Sequence, residues 1–281
     1  MKNHTILALI GLEASAAELA PFLEKARDTG AHVAVIVVGV APRLPAPAYG
    51  VTPYAPALLS DDWHHNYTDA RKKLIAKAED IESILATHDV SGDVATIFGD
   101  ALMIEQSVAD RARFCDFVYL SQDLRANGFA FDHALRGALF DAPAGVVLNG
   151  LSAKAADHVL IAWNASLGAS RAVHAARAIL TEAKQVTVAV FDPIMTESHD
   201  GENSGSDLAK WLSHMGCNVT VQQYPSGGKE IGTCIKERAE ELGADMVVMG
   251  AYDHSRLRQA MFGGTTRTMV EQTEIPVLLA H

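Results

Sequence analysis

A shift of about 150 residues lays this chain on itself. NHTILALIG at 3–11 falls on DHVLIAWNA at 157–165, and an alanine-rich helical pattern follows each. Farther on, at a smaller offset of about 130 residues, CDFVYLS at 115–121 resembles ADMVVMG at 244–250, and APAGVVLNG at 142–150 resembles EIPVLLAH at 274–281. The chain therefore reads as a duplicated domain. The expected units are residues 1–150 and 155–281, joined near GLSAKAA at 150–156.

Within the second copy, HVLIAW and QVTVAVF are nearly continuous apolar runs, the pattern of strands buried on both faces. Between them Ala169, Ala172, Val173, Ala176, Ile179 and Leu180 recur at helical spacing, which predicts one helix with a buried stripe. SDLAKWLSHMG places Leu208, Trp211, Leu212 and Met215 on one face, with Gly216 as the stop. A strand NVTVQQY, a helix ending at Gly243, the strand ADMVVMG, a glycine-bearing loop, a helix from about Thr265 and a last strand IPVLLA complete the copy. The first copy reads the same way, with one difference. Pro42, Pro45, Pro47, Pro53 and Pro56 forbid a regular helix after its second strand and predict a long surface loop before a helix that begins near Trp63.

Right-handed crossovers between parallel strands limit such a β-α alternation to a doubly wound sheet. Ligands of these sheets bind beyond the carboxyl ends of the strands, where the strand order reverses. WNAS at 163–166 and the loop MGAYDHSRLRQAMFGGTTRTM at 249–269 both fall at that edge. Glycines in the loop let backbone N–H groups approach phosphate oxygens, and the helix behind it adds a partial positive charge. Thr265 and Thr266 offer hydroxyl donors, and Arg256, Arg258 and Arg267 offer charge.

These residues and the two-copy layout resemble a tandem universal stress protein over nearly the whole chain. The resemblance implies an α/β fold of two tandem Rossmann-like domains, of the adenine nucleotide α-hydrolase-like type. Each would be a five-stranded parallel sheet of order 3-2-1-4-5 with helices on both faces. Members of the family that bind ATP carry an Asp after the first strand and a loop reading G-x-x-G, nine residues, then G-[S/T]. Gly250 and Gly263 stand at the first and last glycine positions. Asp253 stands at the second glycine position, Gly264 at the Ser/Thr position and Asn164 at the acidic one.

The implied nucleotide-binding residues follow the sheet edge. Ala162, Asn164, Ser166 and Val190 end or follow the first two strands of the second copy, and Met249 and Gly250 end the fourth. Asp253, His254, Arg256 and Gly263 lie in the loop, and Gly264, Thr265 and Thr266 open the last helix. A carboxylate at 253, about 5 Å from a phosphate charge at an effective dielectric near 20, would repel it by about 3 kcal/mol. That corresponds to about a hundredfold in affinity. Asn164 keeps one acceptor toward ribose and adds two donors; it serves equally as a residue that turns the chain into the next helix. The first copy has Ser121 where Gly250 stands, lacks the spaced glycines, and ends its first strand in Ile10-Gly11 without a polar side chain, so it reads as a degenerate, structural copy.

Other chemistry finds little support. The net charge of −11 and the absence of a basic stripe exclude a nucleic-acid partner. No apolar stretch approaches the length of a membrane span, and the N-terminal run has no small-residue cleavage site, so a cytoplasmic protein without a membrane partner is expected. Cys115, Cys217 and Cys234 are odd in number and lack CxxC spacing, which predicts buried reduced thiols. His64 and His65, behind Asp61 and Asp62, read as a solvated helix start, because neighbours on a helix point about 100° apart and cannot easily share a metal. SGGKEIG at 226–232 has Lys229 but neither the distant glycine nor the hydroxyl of a P-loop, and no GxSxG elbow occurs.

No catalytic or metal-binding residue is singled out. The expected function is a cytoplasmic stress-response protein that binds an adenine nucleotide, ATP or AMP with accompanying Mg²⁺, in its second domain. It would act through conformational or partner-binding changes. The alternatives are a ligand-free interaction protein and a slow nucleotide hydrolase. The last strand of each copy would be a sheet edge needing cover. That predicts an intrachain pseudo-dimer of the two domains, and leaves room for a homodimer and for unknown protein partners.

Overall fold

The computed structural model describes residues 4–44, 60–150, 156–193, 205–251 and 264–281. The first half contains β1 (Thr5–Ile10), α1 (Ala16–Thr29), β2 (His32–Val40), α2 (Asp61–Thr87), β3 (Gly92–Gly99), α3 (Ala101–Ala112), β4 (Phe117–Leu120), α4 (Gln122–Ala126), α5 (Gly128–Phe140) and β5 (Gly145–Leu148). The second contains β6 (His158–Ala162), α6 (Leu167–Ala175), α7 (Arg177–Glu182), β7 (Gln185–Phe191), α8 (Ser206–His214), β8 (Val219–Tyr224), α9 (Ile231–Leu242), β9 (Met246–Gly250), α10 (Gly264–Glu271) and β10 (Val277–Ala280).

All ten strands lie in one sheet of order β3-β2-β1-β4-β5-β10-β9-β6-β7-β8. Each half has the order 3-2-1-4-5 with parallel neighbours. The α/β fold expected from the sequence is present. Central strands are buried along nearly their whole length, whereas the outer strands β3 and β8 mix buried and exposed residues. Only strands with helices over both faces need continuous apolar runs.

Alternate strand residues feed two cores, one on each face. Ile6, Ala8 and Ile10 join Phe22 of α1, Leu74 of α2, Val173 of α6 and Leu212 of α8. Leu7 and Leu9 join Ile104 of α3, Phe131 of α5, Ile235 of α9 and Met269 of α10. Helix starts are set by side-chain caps, which satisfy amides that have no partner inside the helix. Ser15, Ser60, Asp100 and Ser166 each accept from the amide three residues on. Gly216 and Gly243, at φ 88° and 61°, end two segments at the predicted stops in a conformation that favours glycine.

One element differs from its sequence pattern. The stripe from Ala169 to Leu180 falls on two helices, α6 and α7, that meet at Ala176 (φ −77°, ψ 0°). The amide of Ala176 still donates to Ala172 and that of Leu180 to Ala176, so the apolar stripe runs through the break. Residues 45–59 of the proline-rich segment lie outside the described residues.

The halves meet at β5 and β10, which pair antiparallel as Val277 with Leu148, Leu278 with Val147 and Leu279 with Val146. Arg125 of α4 bridges the same seam. Its guanidinium donates to the carbonyl of Val270 in the last turn of α10 and, at 2.9 Å, to Asn149 Oδ1, and it lies 4.7 Å from the centre of the Phe131 ring. Asn149 in turn donates to the carbonyls of Gln272 (2.8 Å) and Ile275 (3.0 Å). A cation at a helix C-terminus complements its partial negative charge. Arg125→Met keeps the stem and leaves two acceptors unpaired, so it should cost about 2 kcal/mol. Urea unfolding of the full chain checks this; an unchanged midpoint would remove Arg125 from the account of the seam.

Candidate functional site

The chain reverses its winding between β6 and β9, where Ala162 lies beside Met249. Past Ala162, the WNAS stretch makes a tight turn. Asn164 Oδ1 accepts from the amide of Ser166 at 3.3 Å, Ala165 takes a left-handed φ of 59°, and Ser166 Oγ accepts from the amide of Ala169 at 3.1 Å. Asn164 is exposed, and its carbonyl oxygen holds this turn.

Gly250 meets the first turn of α6. A Cβ built there would lie 2.4 Å from the Ala169 nitrogen and 2.6 Å from the Gly168 carbonyl carbon. The glycine therefore permits direct backbone packing of α6 on β9. Beyond it, the Ala251 amide donates to Ala280, His281 Nδ1 lies 2.9 Å from the Ala251 carbonyl, and Arg171 donates to the His281 carbonyl at 2.7 Å. Val190 and Met249 are buried in the two cores, which leaves only their backbones to a ligand. Asp253, His254, Arg256, Arg258 and Gly263 lie outside the described residues.

At the start of α10, Gly264 is exposed, Thr265 half-buried and Thr266 buried. A carboxylate from elsewhere in the chain sits against this turn. Glu230, the N-cap of α9, accepts from the amides of Gly232 and Thr233, both at 3.0 Å, and from the Thr268 hydroxyl at 3.1 Å. A Cβ at Gly264 would lie 3.3 Å from its Oε1. Burial acts to raise the Glu230 pKa, but the bonds from Gly232, Thr233, Thr268 and Thr265 outweigh it and hold the carboxyl below its ordinary value. The chain thus places its own anion beside two helix starts. Lys229, next to it, is engaged by Glu237 at 2.8 Å.

The first half repeats the device. Glu18 Oε1 accepts from the amides of Gln122 (2.9 Å) and Asp123 (3.3 Å) at the start of α4. The Asp123 side chain closes over Gly11, where a Cβ would lie 2.5 Å from Oδ2. The sequence pointed to neither Glu18 nor Glu230 as a site residue. Glu230 had one local signal, its place just before a helix; its approach to α10 has none.

The acids also mark Tyr119. Burial first, then Glu18 and Asp123, push its hydroxyl up to about 12. Burial, with Asp116 and Asp93 adding and Arg111 opposing, pushes the Cys115 thiol up to about 11. The folded chain holds both protons more tightly than the unfolded chain, whose values are 10.0 and 9.0. Their contribution is therefore complete below pH 9 and is lost as pH rises from about 9 to 12. Denaturant midpoints at pH 8 and pH 10.5 should fall at the higher pH, and a Tyr119→Phe, Cys115→Ala double variant should fall less. An equal fall in both proteins would assign the loss to other groups.

The remaining candidates are ordinary. His65 pairs with Asp69 at 3.1 Å on the exposed start of α2, and the three cysteines are free thiols. Among the described residues, no group of three or more metal-ligating side chains comes together, and no helix is long and apolar enough to cross a membrane.

Fold and switch point define a two-part, doubly wound α/β protein. Residues 222–281 match the model described as the Universal stress protein family. The chain is similar to a universal stress protein from Archaeoglobus fulgidus DSM 4304, at 14% identity and TM-score 0.64, over 98% of this chain and 97% of that one. It is also similar to a provisionally assigned universal stress protein from Pseudomonas aeruginosa UCBPP-PA14, at 15% identity and TM-score 0.57, over 99% and 93%. A functionally unknown protein from Pseudomonas aeruginosa PAO1 matches at 16% identity and TM-score 0.56, over 99% and 92%. Likeness at these identities concerns the fold. The comparison with curated proteins gave no match. The resemblance read from the sequence is met by the family model in the last part of the chain, and the fold is shared with these structures over almost all of it.

Proposed function

We propose that this is a cytoplasmic stress-response protein whose second domain, residues 155–281, binds an adenine nucleotide such as ATP with Mg²⁺. Residues 1–150 serve as a structural partner, the two halves acting as a pseudo-dimer that signals through conformation or protein contacts. One observation supports the reading most. The threonine hydroxyls of α10, behind the glycine-bearing loop, and the amides that start α9 already keep an anion, Glu230, beside Gly264. Hydroxyls and a helix start that satisfy a carboxylate suit a phosphate as well.

The same observation favours a second reading, a ligand-free interaction protein in which Glu230 permanently takes the phosphate's place. Calorimetric titration of the full chain with ATP and Mg²⁺ separates the two. Nucleotide binding should appear at about one per chain, because in the first half Glu18 bonds the α4 amides and Asp123 closes over Gly11. No binding establishes the second reading. Two nucleotides per chain would contradict the assignment of the first half as structural.

A further inference from the structure

A separate cavity opens on the outer face of the second half, between α6 and α8. It has a volume of about 210 Å³ and is lined by Trp163, Ser170, Val173, His174, Leu208 and Trp211. It lies across the sheet from α10. Trp163 packs with the core under α6 and α8, whereas its neighbour Ala162 packs with the core under α9 and α10.

The lining carries a specific chemistry. The His174 and Trp211 rings stand 5.0 Å apart at 51°, so one wall is aromatic. Among the described residues, neither indole N–H, nor the Ser170 hydroxyl, nor the His174 ring makes a hydrogen bond. Indole N–H groups only donate, and a hydroxyl and an imidazole can donate. Among the described residues, no carboxylate lines the cavity. The nearest in sequence, Asp207, is paired with Lys210 at 3.1 Å, and Arg177, three residues beyond His174, pairs with no carboxylate among the described residues. Flat apolar walls that carry spare donors call for a flat ring that carries an acceptor. An apolar cavity of about 150 Å³ already holds benzene.

We infer that the Trp163, His174 and Trp211 cavity is a binding site for a small planar aromatic carboxylate, distinct from the nucleotide site. The ring lies against the indoles, and the carboxylate accepts from the indole, hydroxyl or imidazole donors. A non-planar ring fills the space without matching the aromatic wall, and an aromatic cation presents donors to donors.

The chain has three tryptophans, and each gives one indole N–H signal in a ¹⁵N spectrum. Trp63 is an internal reference, because its Nε1 donates to the Arg43 carbonyl on another part of the fold. Sodium benzoate should shift the Trp163 and Trp211 signals saturably and leave Trp63 in place. Cyclohexanecarboxylate and benzamidinium should bind at least tenfold more weakly. Ser170→Phe should fill the cavity and abolish the shifts. If that variant fails to fold, His174→Ala, at an exposed position, should weaken benzoate several-fold with the spectrum otherwise intact. The proposal is overturned by shifts that do not saturate, by equal movement of all three signals, by cyclohexanecarboxylate matching benzoate, or by undiminished binding in the folded variants.

Discussion

Replacing Glu230 with Gln should tighten ATP binding by up to about a hundredfold and leave adenosine binding nearly unchanged. A phosphate charge seated about 5 Å from the carboxylate, at an effective dielectric near 20, is repelled by about 3 kcal/mol, and that energy corresponds to about a hundredfold in affinity. Glutamine keeps one carbonyl oxygen to accept from Gly232 or Thr233 while removing the charge, so most of the α9 cap survives. Adenosine has no phosphate and reports only on the base and ribose contacts. Acidification cannot stand in for the substitution. The Glu230 pKa lies below its ordinary 4.5, so the wild-type carboxylate stays charged through the weakly acidic range. The stability it contributes is present above pH 4.5 and is lost as pH falls through its lowered folded value. Calorimetry at pH 7 with both ligands decides the matter. If Glu230→Gln and wild type bind ATP equally, the phosphates lie away from the first turn of α10.

Gly250→Ala should destabilise the fold by about 3 kcal/mol, whether or not a nucleotide is present. The added methyl would enter the space of the Gly168 and Ala169 backbone, at 2.6 and 2.4 Å, where no side chain can rotate aside. Either α6 shifts or β9 does, and overpacking of this kind costs about 1 to 3 kcal/mol, more when backbone must move. For a chain of this size the melting temperature should fall by roughly 6 to 12 °C. Thermal unfolding with and without saturating ATP separates two roles of this glycine. A large loss in the apo protein means that it serves helix packing first. A normal melting temperature with lost ATP binding would restore it to a purely phosphate-contacting role.

This glycine shows how far the sequence could be read. Its place at the end of β9 was visible from the apolar run before it, and a need for close backbone approach follows from the residue type. What approaches it was not visible, because the Ala169 backbone arrives from another element 81 residues earlier in the chain. The same holds for Asn164: a turn-former at a strand end was legible, and the bond to the Ser166 amide fits that local role. Val190 and Met249 matched the resemblance by position, yet strand alternation sends their side chains into the cores.

The sequence by itself determined the repeat, the β-α alternation, a doubly wound sheet through the handedness of crossovers, and the edge on which a ligand would sit, while the 3-2-1-4-5 order came from the family resemblance. These follow from short-range rules: apolar periodicity, caps and stops act within one or two turns of chain. Only the tertiary structure decided that Glu18 reaches the α4 amides across 104 residues, that Glu230 reaches Thr268 across 38, and that Trp163 and Trp211 share one cavity. A long acidic or aromatic side chain has no periodic signature, and its partner is chosen by which helix the sheet happens to bring beside it.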